Sequence, residues 1–357
     1  MMLFSHFKLG SIELKNRMVM APMTRSRAID NVPNKLMAEY YELRADAGLL
    51  ITEGTAPSIN GLGYPRIPGI YTNAQIEGWK QVTDAVHQKG GKIFLQIMHT
   101  GRISHSDNME EGAIIVAPSA VQAAGEMFTD ANGLQNHPVP KEMTLIDIED
   151  AQQEFIQASK NAIAAGFDGV EIHGANGYLI DQFINTGSNK RTDRYGGSIE
   201  NRSRFVIEVA SGIADAIGPE RTGIRFSPYG VFNDMVIFDG LEDTYEYLAV
   251  KMSKLKLAYI HIVDHSSQGA PEVPDIIKNK IKEKFRGTII ASGGLSKEKA
   301  EDILKSEKAE LVAFGQLFLA NPDLVHRVKN DLDLNTPDYN TFFTPGEQGY
   351  LDYSLAE

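Results

Sequence analysis

The stretch GVEIHGANGY, residues 169–178, joins an apolar strand signal to a tight polar turn. Its first four residues are typical of a short buried strand, and the glycines that follow mark a turn into the next element. Three polar side chains, His173, Asn176 and Tyr178, come within six residues of one another at this strand end. A strand, a turn and a polar cluster in this order predict an active site.

Seven other short apolar segments resemble this one, and each is followed by a longer segment with helical periodicity. The seven segments lie at residues 18–22, 49–54, 92–97, 222–228, 259–264, 288–294 and 311–316, and residues 169–174 make the eighth. Eight such alternations predict one closed (β/α)₈ barrel, with helix starts at Thr144 and Ser296. A doubly wound open sheet is the alternative, because alternation alone does not prove closure, but the polar strand ends favour the barrel.

The chain is longer than a minimal barrel, which takes about 250 residues. Residues 1–17 predict a short hairpin that closes the bottom of the barrel, and residues 101–147, rich in Gly, Asn and Pro, form a long excursion after the third strand. An excursion on the catalytic face is interpreted as an active-site lid or as a packing flap. No linker divides the chain, so residues 1–357 are predicted to form a single barrel domain.

Composition narrows the function classes. The formal net charge of -12 and the lack of a dense basic run argue against nucleic acid or an anionic membrane as partner. The chain has no cysteine, which excludes disulfides, thiolate nucleophiles and iron-sulfur clusters, and no metal site is predicted. The first residues lack the apolar region of a signal peptide, and no run approaches the ~20 residues of a membrane span. We expect a soluble, cytoplasmic protein that acts on small molecules.

Polar residues recur where the predicted strands end, which is where barrel enzymes carry their chemistry. They are Thr24, Gln96, His173, Asn176, Tyr178 and Arg225. Gly293-Gly294 ends the seventh strand, and Gly315 ends the eighth before a helix indicated by Asn321-Pro322. Exposed amides between the last two strands predict a phosphate site, although ordinary turn glycines explain the same pattern.

Four motifs together resemble the Old Yellow Enzyme family from about residue 3 to residue 353. They are APMTR at residues 21–25, HGANGYLIDQF at 173–183, RTDRYGGS at 191–198 and SPYG at 227–230. Their length, order and spacing argue against coincidence. The resemblance implies a (β/α)₈ barrel and a tightly but noncovalently bound FMN, with NADPH or NADH as reductant.

The resemblance also implies which residues contact the cofactor. They are Ala21, Pro22, Met23, Thr24 and Gly54 beside the flavin ring, Gln96 and Arg225 at its pyrimidine end, and Gly293, Gly294, Gly315 and Gln316 at the phosphate. Physical chemistry agrees for Arg225, because a fixed guanidinium stabilises the negative charge of a reduced flavin better in a water-poor site than in water.

His173 and Asn176 correspond to the family's pair that holds the substrate's carbonyl oxygen. Two preorganised donors at that place stabilise the oxygen as it becomes an enolate. Tyr178 corresponds to the proton donor for the α-carbon, and with an ordinary pKa near 10 it stays protonated at neutral pH. The resemblance places Tyr64, Met98 and Tyr350 along the substrate pocket.

Three positions bear on the subfamily. Met98 stands where several relatives carry Trp, so the pocket is expected to be roomier or more pliable. Gln316 replaces an Arg that many members direct at the FMN phosphate, which removes one charge-assisted contact. Thr24 stands where another branch has a redox-tuning Cys, so the chain is assigned to the Thr-containing branch.

These features together predict an FMN-dependent, NAD(P)H-consuming ene-reductase that acts on α,β-unsaturated carbonyls or nitroalkenes. A reductase of nitrate esters or nitroaromatics on the same flavin is the alternative within enzymes. A flavin- or phenol-binding sensor without turnover is the alternative outside them. The physiological substrate, the choice of nicotinamide and the choice between monomer and homodimer stay open.

Overall fold

A closed barrel of eight parallel strands forms the centre of the computed structural model, which describes residues 1–356. The barrel strands are β3 (Met18–Met20), β4 (Leu49–Ile51), β5 (Ile93–Ile97), β10 (Gly169–Gly174), β11 (Thr222–Phe226), β12 (Tyr259–Val263), β13 (Thr288–Ser292) and β14 (Leu311–Phe314). β14 pairs with β3, which closes the ring. The predicted (β/α)₈ barrel is therefore confirmed, and the open-sheet alternative is wrong.

Helices follow the barrel strands and cover them. They are α1 (Lys35–Glu42), α2 (Asn73–Gln88), α3 (Leu145–Ala164), α4 (Leu179–Ile184), α5 (Ile199–Arg202), α6 (Arg204–Ile217), α7 (Leu241–Leu255), α8 (Asp275–Phe285), α9 (Lys297–Lys305), α10 (Gln316–Ala320) and α11 (Leu324–Lys329). Thr144 and Asp147 form a reciprocal capping box at the start of α3, and the Ser296 hydroxyl accepts from the Lys299 amide at 3.3 Å at the start of α9. Both predicted helix starts are therefore in place.

The N-terminal hairpin closes the lower end of the barrel, as the sequence predicts. It consists of β1 (Phe7–Leu9) and β2 (Ile12–Leu14), which pair antiparallel. Leu9 and Leu14 are fully buried against Val19, Leu49 and Phe94, residues near the start of barrel strands. Each buried leucine contributes about 1.5–3 kcal/mol relative to an exposed one, so the hairpin holds the end of the barrel opposite the polar cluster.

The excursion after β5 contains four short strands in two small sheets. They are β6 (Val116–Ala117), β7 (Glu126–Thr129), β8 (Gly133–Asn136) and β9 (Lys141–Glu142); β7 pairs antiparallel with β8, and β6 pairs parallel with β9. Ile103 and Met127 of the excursion pack in one apolar cluster with Met98 and Tyr178. The excursion therefore forms one wall of the polar cluster, and its motion as a lid stays a prediction.

The C-terminal tail returns to the end of β3. The Arg27 guanidinium donates to carbonyl oxygens of the tail, among them those of Thr341 at 2.8 Å, Phe342 at 2.7 Å and Gln348 at 2.9 Å. The Tyr350 ring stacks on Tyr40 with centroids 4.0 Å apart. These contacts fix the segment that carries Thr24. No helix among residues 1–356 is both long and apolar enough to cross a membrane.

Candidate active site

The carboxyl ends of β5, β10, β11 and β12 bring polar side chains together inside the barrel. In the register of the sheet, Gln96 lies beside Glu171, His173 beside Arg225, and Arg225 beside His261. All five side chains are buried. Strand alternation explains why Glu171 and His173 share a face, because residues two apart point to the same side. The four strands thus assemble two adjacent polar layers, a lower layer that contains Glu171 and an upper layer that contains His173.

The lower layer is a chain of hydrogen bonds that the sequence motifs do not indicate. Gln96 Nε2 donates to Glu171 Oε1 at 2.8 Å, and His261 Nδ1 lies 2.9 Å from Glu171 Oε2. His261 Nε2 in turn lies 3.0 Å from the Ser292 hydroxyl. Because the amide nitrogen of Gln96 is engaged by the carboxylate, the amide oxygen of Gln96 stays available as an acceptor for a ligand above it.

The charge on Glu171 persists despite its burial. Burial alone would raise the pKa of Glu171, but the neighbouring His261, Arg225 and Gln96 favour the carboxylate and hold that pKa below its ordinary value. Sequence reasoning missed Glu171 and His261, although a signal existed: each is a titratable residue in an otherwise apolar strand. An ionised carboxylate in the barrel core therefore offsets the charge of the buried Arg225.

Arg225 is the clearest indication of a ligand-binding site. Only 6% of its surface is exposed, and its Nε atom has no hydrogen-bond partner within residues 1–356. Burial lowers the pKa of Arg225, with opposition from Glu171, but an arginine remains charged at neutral pH. An unpaired buried donor costs about 1–3 kcal/mol or more, and an anionic or carbonyl-bearing group from outside the chain removes that cost. The pyrimidine edge of a flavin is such a group.

The turn after β10 is held in a conformation that few residues adopt. Asn176 and Gly177 have φ of 60° and 74°, and a Cβ on Gly177 would lie 2.8 Å from the Asn233 Cβ. The backbone N–H of Asn176 donates to the Ser227 hydroxyl at 2.9 Å, and the backbone N–H of Gly177 donates to Asp181 Oδ2 at 2.9 Å. Asn and Gly tolerate this left-handed region best, so the sequence itself specifies the turn.

His173 and Asn176 stand at the upper layer with hydrogen-bonding capacity to spare. His173 Nδ1 is buried without a partner in the described chain. Burial, helped by the charge of Arg225, lowers the pKa of His173 well below its ordinary value, so the imidazole is neutral and has one N–H to donate. The Asn176 amide oxygen lies 2.8 Å from His265 Nε2, and His265 is a further residue that sequence reasoning missed.

Tyr178 lies over His173, with ring centroids 4.9 Å apart and an angle of 68° between the rings. Its hydroxyl donates to the Tyr64 hydroxyl at 3.1 Å. Burial raises the pKa of Tyr178, so the phenol keeps its proton at neutral pH. Met98 packs in the same cluster as both tyrosines, and a Cβ on Gly54 would lie 2.5 Å from its sulfur. The structure thus brings Tyr64, Met98, Gly54 and Tyr178 together.

Tyr350 does not join them. It has no exposed surface, stacks on Tyr40, and lies 5.1 Å and 4.8 Å from the guanidinium carbons of Arg25 and Arg27. Its ring therefore anchors the C-terminal tail, while its hydroxyl has no hydrogen-bond partner within residues 1–356. Contact between Tyr350 and a substrate stays a prediction.

The end of β3 meets the end of β14. The Ala21 amide donates to the Phe314 carbonyl at 3.0 Å, and Pro22 beside it is buried. Met23 and Thr24 are partly exposed. The Met23 sulfur is the atom nearest to a Cβ built on Gly315, at 3.5 Å, which is an ordinary van der Waals contact. The ends of the first and the last barrel strands therefore bring Met23 and Gly315 together.

The remaining glycines lie beside the loop after β12. A Cβ on Gly293 would lie 2.0 Å from the Asp264 carbonyl oxygen, and one on Gly294 would lie 2.4 Å from the Ser267 Cβ. Both positions therefore require glycine for packing. Gln316 accepts from the Tyr339 hydroxyl at 3.1 Å. Phosphate binding by Gly293, Gly294, Gly315 and Gln316 stays a prediction.

Comparison with known proteins agrees with this geometry. A sequence model of the NADH:flavin oxidoreductase / NADH oxidase family matches residues 2–335. A protein of Leishmania infantum described as a probable flavin mononucleotide-dependent alkene reductase is 43% identical over 96% of this chain and 94% of its own. Morphinone reductase superposes with a TM-score of 0.96 at 41% identity, over 99% of this chain and 96% of its own. An old yellow enzyme homologue from Zymomonas mobilis superposes with a TM-score of 0.94 at 38% identity, over 99% of both chains.

The barrel, the polar layers and these similarities define an FMN-dependent NAD(P)H oxidoreductase of the ene-reductase type. The chain belongs to the NADH:flavin oxidoreductase / NADH oxidase family, which is the Old Yellow Enzyme family predicted from the motifs. The predicted family, enzyme class and FMN cofactor are confirmed. The assignment of the chain to the Thr-containing branch of the family, which rests on Thr24, stays a prediction.

Proposed function

We propose that this enzyme reduces the C=C bond of α,β-unsaturated carbonyl compounds or nitroalkenes. The observation that carries the proposal is the grouping of His173, Asn176 and Tyr178 at one strand end, directly above a buried Arg225 with an unpaired donor. Two donors and one acid around a cofactor site are what reduction of an activated alkene needs. The alkene reductase of Leishmania infantum supports the same substrate class.

FMN fits the residues present. Arg225 Nε and the Gln96 amide oxygen would hold its pyrimidine edge, Ala21, Pro22, Met23, Thr24 and Gly54 its ring, and Gly293, Gly294, Gly315 and Gln316 its phosphate. When bound and reduced by NADPH or NADH, FMN supplies the hydride for the β-carbon of the alkene. The chain's own side chains then have three tasks, which are to orient the substrate, to stabilise charge on its oxygen and to deliver a proton.

His173 and Asn176 orient the substrate by its oxygen. Each donates one hydrogen bond to the carbonyl or nitro group, and both bonds strengthen as that oxygen gains negative charge. A neutral His173 suits this role because it can donate a hydrogen bond and carries no positive charge. A charged imidazole would need a counter-ion before the substrate binds. The same two donors bind the amide oxygen of nicotinamide, so one pocket serves both half-reactions.

Tyr178 delivers the proton to the α-carbon. Its hydroxyl is buried, protonated and hydrogen-bonded to the Tyr64 hydroxyl. After the transfer, Tyr64 can turn its own hydrogen towards the phenolate and stabilise it until a proton returns. Tyr64 and Met98 would then form the wall that limits the size of the substrate.

The direct test is anaerobic mixing of purified holoenzyme with NADPH or NADH, followed by 2-cyclohexenone and then by a nitroalkene. We expect bleaching of the flavin by the nicotinamide and its return with formation of the saturated product. Flavin that bleaches but reduces no activated alkene would overturn the proposal, and reoxidation by nitroaromatics alone would favour that alternative. Flavin that never bleaches would indicate a binding protein.

The remaining features of this proposal rest on the sequence. We propose one flavin-binding domain over residues 1–357, small activated alkenes and nicotinamide as partners, no nucleic acid or membrane partner, and work in the cytoplasm as a monomer or homodimer. The net charge of -12 supports the lack of nucleic acid and anionic membrane partners.

A further inference from the structure

His265, in the loop after β12, holds the side chain of Asn176. Its Nε2 atom lies 2.8 Å from Asn176 Oδ1, and this is the one hydrogen bond of the Asn176 side chain within residues 1–356. The backbone of Asn176 is fixed separately. Its N–H donates to the Ser227 hydroxyl, and its backbone carbonyl accepts from the side-chain amide of Asn233 at 2.8 Å. The orientation of the Asn176 amide group therefore depends on His265.

That orientation matters because a carboxamide has two different ends. Its oxygen accepts hydrogen bonds and its nitrogen donates them. A substrate oxygen needs the nitrogen end, since two facing acceptors repel each other. If the partner of Asn176 donates, the amide oxygen turns to that partner and the nitrogen faces the substrate; if the partner accepts, the amide is reversed.

The imidazole of His265 donates from Nε2 in two of its three forms, the neutral Nε2–H tautomer and the imidazolium ion. Burial, with the charge of Arg225, lowers the pKa of His265 to about 4, so the neutral ring is the form present near pH 7. The Nε2–H tautomer therefore both satisfies Asn176 Oδ1 and avoids a second positive charge above Arg225.

The loop that carries His265 is itself held firmly. The His265 carbonyl accepts from the Gln268 amide at 2.8 Å, and the preceding Asp264 binds the Ser266 amide and Lys278 Nζ at 3.0 Å and 2.9 Å. The Phe232 ring lies beside the imidazole, with centroids 6.2 Å apart. A fixed backbone and a neighbouring ring leave the imidazole little freedom, which is what a residue that orients another requires.

We propose that His265 is a positioning residue for the reaction: its Nε2–H fixes the Asn176 amide so that the amide nitrogen faces the substrate's oxygen. This role rests on the proposed function of Asn176. It assigns part of the oxygen-binding site to the sixth barrel strand, which none of the sequence motifs includes.

Substitutions at His265 test the role by ligand binding. A phenol titrated into oxidised holoenzyme and followed by flavin absorbance reports on the oxygen site without turnover. We expect His265→Ala to weaken phenol binding and to raise KM for 2-cyclohexenone, each about 3- to 10-fold, the effect of one neutral hydrogen bond. His265→Gln, whose amide nitrogen can occupy the place of Nε2, should restore most of the affinity. Ser266→Ala, on the exposed side of the same loop, is the matched control.

A double-mutant cycle separates positioning from loop damage. In an Asn176→Ala background, His265→Ala should have no further effect on phenol binding, because the side chain that it orients is gone. Equal losses in both backgrounds, or a Gln variant as weak as the Ala variant, would overturn the proposal.

A measurement on the unsubstituted holoenzyme covers the case in which a variant fails to load FMN. With histidine labelled with ¹⁵N and His265 assigned from the His265→Gln spectrum, we expect a proton bonded to Nε2 at pH 7. An unprotonated Nε2 in an enzyme that reduces enones would overturn the positioning role alone. A protein that binds no phenol and reduces no alkene would overturn the proposed function, and the positioning role with it.

Discussion

Tyr178 and Tyr64 are joined by a hydrogen bond between their hydroxyls, and of the two only Tyr178 lies against His173. We predict that Tyr178→Phe slows alkene reduction by roughly 10²–10⁴, the usual contribution of a general acid, while NADPH still bleaches the flavin at close to the unsubstituted rate. Stopped-flow measurement of the two half-reactions checks this. Tyr64→Phe, which leaves the acid in place, should have the smaller effect. Unchanged alkene reduction in the Tyr178→Phe variant would rule out Tyr178 as the acid.

Asp181 provides a pH test of the turn that carries Asn176. Burial raises its pKa to about 7, against the opposing hydrogen bonds from the Gly177 amide and Ser227. The folded protein thus binds a proton that the unfolded chain releases near pH 4, so this contribution to stability is complete below about pH 4 and is lost as pH rises towards 7. The slope is at most about 1.4 kcal/mol per pH unit.

The Asp181→Asn variant isolates that contribution, because an asparagine keeps an acceptor for the Gly177 amide and does not ionise. We predict that the variant matches the unsubstituted protein below about pH 4, becomes progressively more stable than it between pH 4 and pH 7, and keeps a constant advantage above pH 7. Urea unfolding of both proteins at four pH values measures the difference. Burial also raises the pKa of Glu53 to about 7. Because both proteins contain Glu53, its contribution to the pH dependence cancels from the difference between them. A difference that does not change with pH would contradict the prediction.

Sequence reasoning reached the residues that stand out by type and position. Thr24, Gln96, His173 and Arg225 are polar residues at the ends of apolar strands, and the resemblance gave each a place. Glu171 gave an equally strong signal, but it lies one layer lower than the motif residues and no motif assigns it a role.

His265 and Tyr350 show where such reasoning ends. His265 lies in a loop, and its distance of 2.8 Å from Asn176 depends on how two segments 89 residues apart in the chain are placed in the barrel. Tyr350 was predicted from the resemblance as a pocket residue, but its stacking on Tyr40 and its place beside two arginines could not be predicted, because they depend on where the C-terminal tail returns to the barrel. Long-range packing of this kind has no local pattern in the sequence.

At the scale of elements, the eight barrel strands were predictable because buried parallel strands are continuous apolar runs. The interior of the excursion was not, because its four strands have only two to four residues each and no apolar face long enough to show a period. The C-terminal tail was also not predicted in detail, since carbonyl oxygens bound to arginine hold it, and any residue type supplies a carbonyl.

Arg27 is the main attachment of that tail, and it allows an element-scale prediction. Its guanidinium donates to the carbonyls of Thr341, Phe342 and Gln348, and a lysine has fewer donors and no fork geometry. We predict that Arg27→Lys lowers stability by about 2 kcal/mol or more and speeds proteolytic cleavage between residues 342 and 348. Limited proteolysis with mass spectrometry and thermal unfolding measure these effects.

The exposed Arg286→Lys is the matched control and should leave both quantities unchanged. Cleavage of the Arg27→Lys variant at the unsubstituted rate would show that the stacking of Tyr350 on Tyr40 holds the tail without the arginine.

At the scale of the whole molecule, an acidic protein binds an anionic cofactor. With a net charge of -12, long-range electrostatics oppose the FMN phosphate, so local donors must overcome that repulsion. Arg225 serves the ring end, where its unpaired Nε makes the empty barrel less stable than the loaded one. Because a ligand stabilises the folded state by mass action, both FMN and riboflavin should raise the unfolding temperature of the apoprotein.

The comparison of these two ligands tests the predicted phosphate site, because riboflavin keeps the ring and lacks the phosphate. We predict that FMN binds more tightly than riboflavin and that Gln316→Arg increases the ratio of the two affinities about tenfold, by adding one charge-assisted contact. The substitution gives up only the exposed bond to Tyr339, so riboflavin binding serves as the internal control and should not change. Fluorescence titration of apoprotein with each ligand measures the ratio. Equal affinity for FMN and riboflavin, or an equal effect of the Gln316→Arg substitution on both ligands, would place the phosphate away from Gly315 and Gln316 and leave Arg225 as the main anchor of the cofactor.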